Sequence, residues 1–379
     1  MTSIRDRTAI VGVGTTAFGA LYRNLDPERT PYELAAEAFR NALEDAGLAK
    51  EEVDGLVCSR MPSYVRMADV LGIRHPRIIN NYEPSGRFSG VALQTAVSAI
   101  TSGLANVVAC VYGNNGRSAG AKYGGAIDPT STVIYDTMYG MTSPGAYVAM
   151  MYRRYQHLYG VPDDALAPLA INNRKNGALN PNAVMQTPIT YEEYMAARYI
   201  AEPLRLFDYC LINDGGVVFI ITSAERAKDL KKPPVYIAGT AGAGDMTNFY
   251  TSKDFFYEAS KDAADRLYSS AGLGPKDVDC ALIYDNFTPT ILFSLEGFGY
   301  CSRGEAWQFV KDGRIERDGE LPINTHGGHT AESYMQGWGH HVEAVRQLRG
   351  EAGPRQLPKC NVVQYICLSP IVTSHILHN

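Results

Sequence analysis

An internal repeat is the feature of this 379-residue chain that most restricts its fold. Ala-Gly-Leu at 46–48, followed by Val-Asp at 53–54, recurs at 271–273 and 278–279, an offset of 225 residues at all five positions. The same offset, without gaps, carries Gly14 at the end of one apolar run onto Gly239 at the end of another. A repeat of this length indicates that two parts of the chain share one supersecondary plan. We therefore predict two halves, each built on a strand, a helix and a strand.

The strands of these halves are continuous apolar runs such as 105–112, and helical stretches separate them. Strands without alternation, each followed by a helix, are typical of a parallel or mixed sheet covered by helices. We place the first half at 1–230 and the second at 231–379. A segment at about 113–206, rich in Tyr, Gly, Pro and Asn, interrupts the first half, and we expect this insertion to cover a site.

Composition excludes several classes of protein. A net charge of −5, with no cluster of Lys and Arg interleaved with aromatic residues, argues against a nucleic-acid partner. Seven cysteines without a C-x-x-C pair argue against a disulfide framework or a zinc cluster and favour a reducing compartment. No apolar run approaches the length of a membrane span. We expect a cytoplasmic protein with no membrane association and no metal.

Two stretches are candidates for a functional site. Ala281 to Ile283 lead into Tyr284-Asp285-Asn286 and then Pro289, which indicates a core strand that ends at a polar site. Between 324 and 341, glycines stand beside His, Tyr and Trp residues. Such a mixture is typical of a shaped cavity where backbone approaches a ligand closely, rather than of a core.

The motifs in the two halves resemble those of the thiolase superfamily, in particular its sterol-carrier-protein-x branch. The resemblance covers nearly the whole chain and rests on the duplicated halves, Asn213-Asp214-Gly215-Gly216, Tyr284-Asp285-Asn286-Phe287, the Asn-x-x-Gly-Gly at 324–328 and the helical stretch 343–350. It implies an α/β thiolase fold: duplicated βαβαβαββ halves that form a five-layer αβαβα architecture. It also implies a tight homodimer.

The residues that a thiolase uses for acyl transfer are replaced. Alignment with the family motif puts Gly86 at the position of the nucleophilic cysteine, and no cysteine lies between Cys58 and Cys110. The family's Asn or His position falls on Tyr284, and its Gly-His-Pro histidine falls on Tyr334 by one count and on Ala331 by another. The family's second cysteine aligns with Cys367, where Leu-Ser-Pro replaces the glycines that should follow.

A pair of phenols suits a different reaction. Two phenols can donate hydrogen bonds to a thioester oxygen, and a phenol with a lowered pKa can take a proton from a substrate hydroxyl; retro-aldol cleavage of a β-hydroxyacyl-CoA requires both. The constellation resembles the thiolase-like steroid side-chain aldolases of the lipid-transfer-protein type. That resemblance implies cleavage of a 17-hydroxy C22 steroid-CoA to a 17-ketosteroid and propionyl-CoA. It implies no cofactor beyond the CoA thioester of the substrate, and a small OB-fold and zinc-ribbon partner that completes a heterotetramer.

We predict two groups of site residues and keep two alternative functions open. The alternatives are a degenerate thiolase that recruits Cys367, or another cysteine that the sequence does not place, for an unusual β-ketoacyl-CoA, and a non-catalytic scaffold that binds acyl-CoA or lipid. His340 and His341 are expected to be structural or exposed. The predicted catalytic residues are Tyr284, Tyr334, Asp285, His326 and His329; the predicted substrate-binding residues are Gly86, Ser89, Asn286, Gly328 and Cys367.

Overall fold

The computed structural model describes residues 4–83, 88–122, 138–141, 143–246 and 252–379. Its helices are α1 (Phe18–Arg23), α2 (Pro31–Ala46), α3 (Tyr64–Leu71), α4 (Phe88–Thr101), α5 (Pro144–Tyr159), α6 (Ala167–Ala178), α7 (Tyr191–Ala196), α8 (Ala224–Ala227), α9 (Tyr257–Ala271), α10 (Pro289–Gly297), α11 (Ala306–Phe309), α12 (Gly328–Ala331) and α13 (Trp338–Leu348). Its strands are β1 (Thr8–Thr15), β2 (Gly55–Ser59), β3 (Ile78–Tyr82), β4 (Val107–Asn114), β5 (Tyr199–Ala201), β6 (Leu204–Arg205), β7 (Gly215–Ser223), β8 (Val235–Gly244), β9 (Cys280–Ile283), β10 (Val362–Cys367) and β11 (Ile371–His378).

Helix α2 shows how local sequence sets these elements. The Thr30 side chain accepts a hydrogen bond from the Glu33 backbone, and the Glu33 carboxylate accepts one from the Thr30 N–H, which satisfies two otherwise unpaired donors. Pro31 occupies the first helical position, and Gly47 ends the helix at φ 71°. Helix α2 lies between β1 and β2, where the repeat predicts a helix.

The two halves share one strand order. The large sheet runs β3-β2-β4-β7-β1-β8-β11-β10-β9, so the order β2-β4-β7-β1 recurs as β9-β10-β11-β8. In each half the first two strands of that order are parallel and the rest antiparallel. We refer to the two parts of the large sheet, β3-β2-β4-β7-β1 and β8-β11-β10-β9, as the first and second sheets. They meet where β1 and β8 pair at two positions, Ala9 with Tyr236 and Ile10 with Val235.

The repeated aspartates perform the same task in each half. Asp54 accepts hydrogen bonds from the backbone N–H groups of Asn106 and Val107, where β4 begins. Asp279 accepts them from residues 361 and 362, where β10 begins. The repeat in the sequence therefore corresponds to a repeated anchor between neighbouring parallel strands. The division of the chain near residue 230 stays a prediction.

Helices and sheets alternate in five layers. Helices α4 and α13 contact strands of both halves and form the middle layer, α2 covers the first sheet, and α9 covers the second. One apolar core lies between the two sheets, and a further core lies beneath each outer layer. This is the predicted five-layer α/β architecture.

The insertion brings helices α5, α6 and α7 over the second half. Helix α6 packs against α12, and the chain returns through residues 204–213 to β7. Parts of the insertion, 123–137 and 142, lie outside the described residues. Among the helices that the described residues form, none combines the length and apolar character needed to cross a bilayer.

Candidate functional site

Two tyrosines from different loops meet at the centre of the site. Tyr284 directly follows β9, and its N–H donates to the Ile366 carbonyl at 2.8 Å. Tyr334 lies in the loop between α12 and α13. The two hydroxyl oxygens are 3.0 Å apart, a hydrogen bond in which either group can donate. Tyr284 is buried and Tyr334 is half-buried, so Tyr334 is the more exposed member of the pair.

Asp285 fixes the loop beneath this pair. The carboxylate is fully buried, and Oδ1 accepts the His329 N–H at 2.9 Å while Oδ2 accepts from the Asn173 Nδ2 at 2.7 Å. Burial raises the pKa of Asp285, and hydrogen bonds from His340, His329 and Asn173 oppose that increase. Both oxygens already have protein donors. In this structure the residue therefore acts on the position of the His329 loop.

His329 lies between Asp285 and the tyrosines. Its Nε2 accepts the Gly337 N–H at 2.9 Å, so the proton of the neutral ring belongs on Nδ1, which is 3.2 Å from Asp285 Oδ1. The ring packs edge-on against Tyr284 and Tyr334, with centroids 4.7 and 5.1 Å away. Burial lowers the pKa of His329 well below its usual range, so the imidazole is neutral at neutral pH.

Two further buried histidines extend this cluster away from the tyrosines. His340 Nε2 is 3.0 Å from the Ile283 carbonyl oxygen and 3.5 Å from Asp285 Oδ1. The ring of His326 lies edge-on to that of His340, with centroids 4.6 Å apart, and its Nε2 is 3.8 Å from Glu332. His340 and His341 are both buried within α13, which agrees with the structural one of the two expected alternatives and not with exposure.

Asp285, His329 and His340 are residue types that can bind a metal ion, but their hydrogen bonds are those of a polar network. One potential ligand atom from each of Asp285, His329 and His340 lies within 4.8 Å of the others. A metal on His329 Nδ1 would leave the proton on Nε2, where it would face the Gly337 N–H. Because that position already receives a donor, the geometry favours a hydrogen-bonded network over an ion site.

Ser89 and Cys367 lie on the other side of Tyr284. Ser89, in the first turn of α4, is fully buried, and its hydroxyl is 2.7 Å from that of Tyr365. Cys367 ends β10, is also buried, and packs in one cluster with Tyr284 and Tyr365. A Cβ on Gly337 would lie 2.6 Å from both hydroxyl oxygens, which explains the glycine. The predicted residue Gly86 lies outside the described residues.

Asn286 and Gly328 shape the loops of the site. Asn286 Oδ1 accepts the Phe287 N–H at 3.1 Å, so this side chain caps its own loop. Gly328 has φ 59°, and a Cβ there would approach Asp285 Oδ2 to 2.2 Å. A side chain at 328 would therefore displace the carboxylate. Contact of either residue with a substrate stays a prediction.

A cavity of about 420 Å³ opens beside these loops. Its lining is mainly apolar and includes residues 206, 207 and 209–212, with Thr330, the neighbour of His329 in the chain, also on its wall. Arg117 and Arg174 are charged residues that line it as well. An apolar cavity with a few charged groups is typical of a site for an amphipathic ligand.

Comparisons with known proteins agree with this architecture. A family model described as thiolase C-terminal domain-like matches residues 241–375. The chain is 38% identical to the 17-hydroxy-3-oxo-4-pregnene-20-carboxyl-CoA lyase of Mycobacterium tuberculosis over 91% of this chain and 92% of the relative. It is 37% identical to a steroid side-chain-cleaving aldolase of Thermomonospora curvata, with 92% of each chain covered.

The chain belongs to the thiolase-like family of steroid side-chain-cleaving aldolases. A solved structure named Ltp2-ChsH2(DUF35) aldolase superposes with a TM-score of 0.90 at 34% identity, covering 99% of this chain and 98% of that one. The predicted thiolase fold and the predicted relationship to this aldolase family are both confirmed.

The residues predicted from the sequence include those that surround the tyrosine pair, but they do not include the residues that hold them in place. His340, Tyr365, Asn173 and Asn213 each bond to or contact a predicted site residue. Asn213 stands in the Asn-Asp-Gly-Gly motif, which was a usable signal. The other three carry no motif that marks them.

Proposed function

We propose that this protein cleaves the side chain of a 17-hydroxy C22 steroid-CoA, such as the substrate named for its mycobacterial relative, to a 17-ketosteroid and propionyl-CoA. The observation that carries the proposal is the hydrogen-bonded pair of phenols, Tyr284 and Tyr334, with hydroxyl oxygens 3.0 Å apart. It occupies the positions at which the related thiolases hold a thioester oxygen. The family membership supports a carbon–carbon lyase with this class of substrate.

The reaction needs one proton removed and one proton returned. One of the two tyrosines, as its phenolate, accepts the proton of the 17-hydroxyl, the bond between C17 and C20 breaks, and the electron pair moves into the thioester as an enolate. The enolate carbon then takes a proton, which yields propionyl-CoA and leaves a ketone at C17. Since the two hydroxyls share a hydrogen bond, a proton taken by one can be returned through the other without net uptake from solvent.

The neutral imidazole of His329 assists this chemistry by packing. It holds both phenol rings edge-on and hydrogen-bonds the Gly337 amide, so it restricts the directions in which the hydroxyls point. We assign Asp285, His326, Ser89, Asn286, Gly328 and Cys367 to the support of the site and its substrate, and we keep Gly86 as a substrate-binding residue from the sequence.

Two alternative functions have weaker support. A degenerate thiolase would depend on Cys367, which is buried against Tyr365. A nucleophilic cysteine attacks as a thiolate, and no cysteine stands at the start of α4 to provide a second one. A non-catalytic scaffold would have no need for a bonded pair of phenols next to a ligand cavity.

We also propose the assembly that the family resemblance implies. The matched solved structure carries the names of two components, Ltp2 and ChsH2(DUF35). By analogy the present chain forms a homodimer that binds a small OB-fold and zinc-ribbon partner to give a heterotetramer. None of its seven cysteines, all of which lie in the described part of the chain, forms a disulfide, which suits a reducing cytoplasm.

Mass spectrometry of the products tests the function. The purified protein, with its partner subunit, is mixed with 17-hydroxy-3-oxo-4-pregnene-20-carboxyl-CoA in the absence of free CoA. We expect a 17-ketosteroid and propionyl-CoA in equal amounts. Tyr334→Phe should nearly abolish both products, whereas Tyr300→Phe, a matched variant at a tyrosine bonded to Gln364 outside the site, should retain them.

Two results would contradict the proposal. Cleavage of a β-ketoacyl-CoA that requires free CoA would indicate a thiolase. Tight binding of the steroid-CoA without turnover, unchanged in Tyr334→Phe, would indicate a scaffold.

A further inference from the structure

The segment 208–213, between the insertion and β7, bonds to three separate parts of the site. The Cys210 N–H donates to the Asn286 carbonyl at 3.0 Å, and the Leu211 N–H donates to the His329 carbonyl at 3.1 Å. Asn213 Oδ1 accepts the Tyr334 N–H at 2.7 Å. The loops that carry the two tyrosines are therefore held against one short stretch of chain.

Of these three hydrogen bonds, the one made by Asn213 is the one whose partner, Tyr334, itself carries a phenol of the proposed catalytic pair. It is fully buried, and its backbone carbonyl accepts a hydrogen bond at 2.9 Å from the Nδ2 of Asn114, the last residue of β4. Its own Nδ2 donates to the Asp214 carbonyl at 3.2 Å, which fixes the orientation of the carboxamide and directs Oδ1 at Tyr334.

This bond connects the two halves of the molecule. Tyr284 follows a strand of the second half, while Asn213 and Asn114 belong to the first. Tyr334 lies in a loop, and its hydroxyl is at the far end of a long side chain, so a small rotation of its backbone moves the hydroxyl considerably. The separation between the two phenols depends on a backbone anchor for Tyr334, and Asn213 is a buried side chain that provides one.

We propose that Asn213 is a positioning residue for the aldol cleavage, acting through the backbone of Tyr334 to hold its hydroxyl against that of Tyr284. This inference rests on the proposed function and extends it to a residue that touches neither substrate nor reacting atoms. The chain of contacts runs from the end of β4 through Asn114 and Asn213 to Tyr334.

Steady-state kinetics and a double-mutant cycle test the role. Asn213→Ala should lower kcat by about ten- to a hundredfold with KM changed by about threefold or less, because a misplaced catalytic group costs turnover more than binding. Asn213→Asp keeps an acceptor oxygen for the Tyr334 N–H and should recover most of the loss. Asn172→Ala removes an equally buried amide that bonds the Ile323 carbonyl, and it should affect stability without this loss of kcat.

The cycle separates positioning from general support of the fold. In a Tyr334→Phe background, Asn213→Ala should cause little further loss of single-turnover product, because the hydroxyl it positions is absent. Equal losses in both backgrounds would overturn the inference. If Tyr334→Phe forms no measurable product, the test is the comparison of kcat between Asn213→Ala and Asn213→Asp. Equal kcat values for these two variants would overturn the inference. An inactive wild-type protein would refute the proposed function, whereas an active wild type matched by Asn213→Ala would refute this inference alone.

Discussion

The ends of two equivalent strands, β2 and β9, show where the halves of this molecule diverge. The offset of 225 residues that aligns Asp54 with Asp279 also aligns Ser59 with Tyr284. Ser59 ends β2 and donates to the Glu83 carbonyl at 3.2 Å, while Tyr284 directly follows β9 and bonds to Tyr334. At the opposite ends of the same strands, the two aspartates make matching bonds.

This difference separates the residues that build the fold from the residues that we propose perform the chemistry. The anchors that set strand register are the same in both halves, whereas the phenol and the buried acid that follows it occur in the second. A duplicated architecture therefore does not imply two sites. Function depends on the residues placed at one set of strand ends.

The largest difference in kcat should be between variants at the two equivalent positions, Tyr284 and Ser59. Tyr284→Phe should lower kcat by about a thousandfold, because a phenol that transfers a proton contributes in this range. Ser59→Ala, at the matching position of the first half, should change kcat by about twofold or less. Both variants keep their aromatic or small side chain in place, so circular dichroism should show the wild-type fold.

Activity of Tyr284→Phe within about tenfold of wild type would break the comparison. It would move the chemistry to Tyr334 alone or to another group. A large loss in Ser59→Ala would show that the first half contributes to the site directly.

Glu332 and Asp279 should affect the pH dependence of stability in opposite directions. Burial raises the pKa of Glu332 from 4.5 to about 7, with further increase from Glu343 and opposition from Arg355, Asn180 and Arg346; His326 also faces it. Asp279, at the sheet end, behaves in the opposite way. Burial alone would raise its pKa, but hydrogen bonds from Lys359 and from the backbone at 361 and 362 outweigh burial and lower it.

The sign of each effect follows from which state binds the proton. Between pH 4.5 and 7 the unfolded chain loses the Glu332 proton while the folded chain keeps it, so wild-type stability should fall across this window. Glu332→Gln removes that loss and should gain up to about 3 kcal/mol over wild type as pH rises to 7. Asp279→Asn should be less stable than wild type at neutral pH, with the difference vanishing in acid. Chemical denaturation at pH 4, 5.5 and 7 measures both, and parallel pH curves for Glu332→Gln and wild type would contradict the assignment.

Much of the fold was predictable from the sequence because its signals are local or periodic. The capping box at Thr30, the continuous apolar strands and the repeated Val-Asp pair each determine an element without reference to distant residues. The tyrosine pair was predictable for another reason. The resemblance to a known family puts Tyr284 at a position which that family uses for catalysis, and one of two counts does the same for Tyr334.

The supports of the site were not predictable because they depend on contacts between distant segments. His340 follows a glycine-rich stretch, and nothing local indicates that its ring will lie 3.5 Å from Asp285. Tyr365 is one of 24 tyrosines, and its bond to Ser89 joins residues 276 positions apart. Such pairings arise from the layering of the sheets.

A smaller effect on stability and on kcat is expected from Asp285→Asn, at the residue that follows Tyr284. In Asp285→Asn one amide nitrogen must face a donor, either the His329 N–H or the Asn173 Nδ2, whichever way the amide is turned. We expect a loss of about 1–3 kcal/mol in the free energy of unfolding. We also expect a lower kcat, because the His329 ring that packs against both phenols would shift. Arg60→Ala, at the equivalent position of the first half, should leave kcat unchanged. Equal effects of the two variants on kcat would contradict the contrast between the strand ends.

The smallest expected effects test the regions where the halves are alike. Asp54→Ala and Asp279→Ala each remove a carboxylate that accepts the N–H groups at the start of a parallel strand, and each should cost about 1–2 kcal/mol in the free energy of unfolding. Because the two anchors lie in separate halves with no shared partner, the losses should add in the double variant within about 0.5 kcal/mol. The kcat of all three variants should match wild type when measured below their unfolding temperatures. A lowered kcat in Asp279→Ala but not in Asp54→Ala would mean that the anchor at the base of β9 and Tyr284 at its end are coupled along the strand.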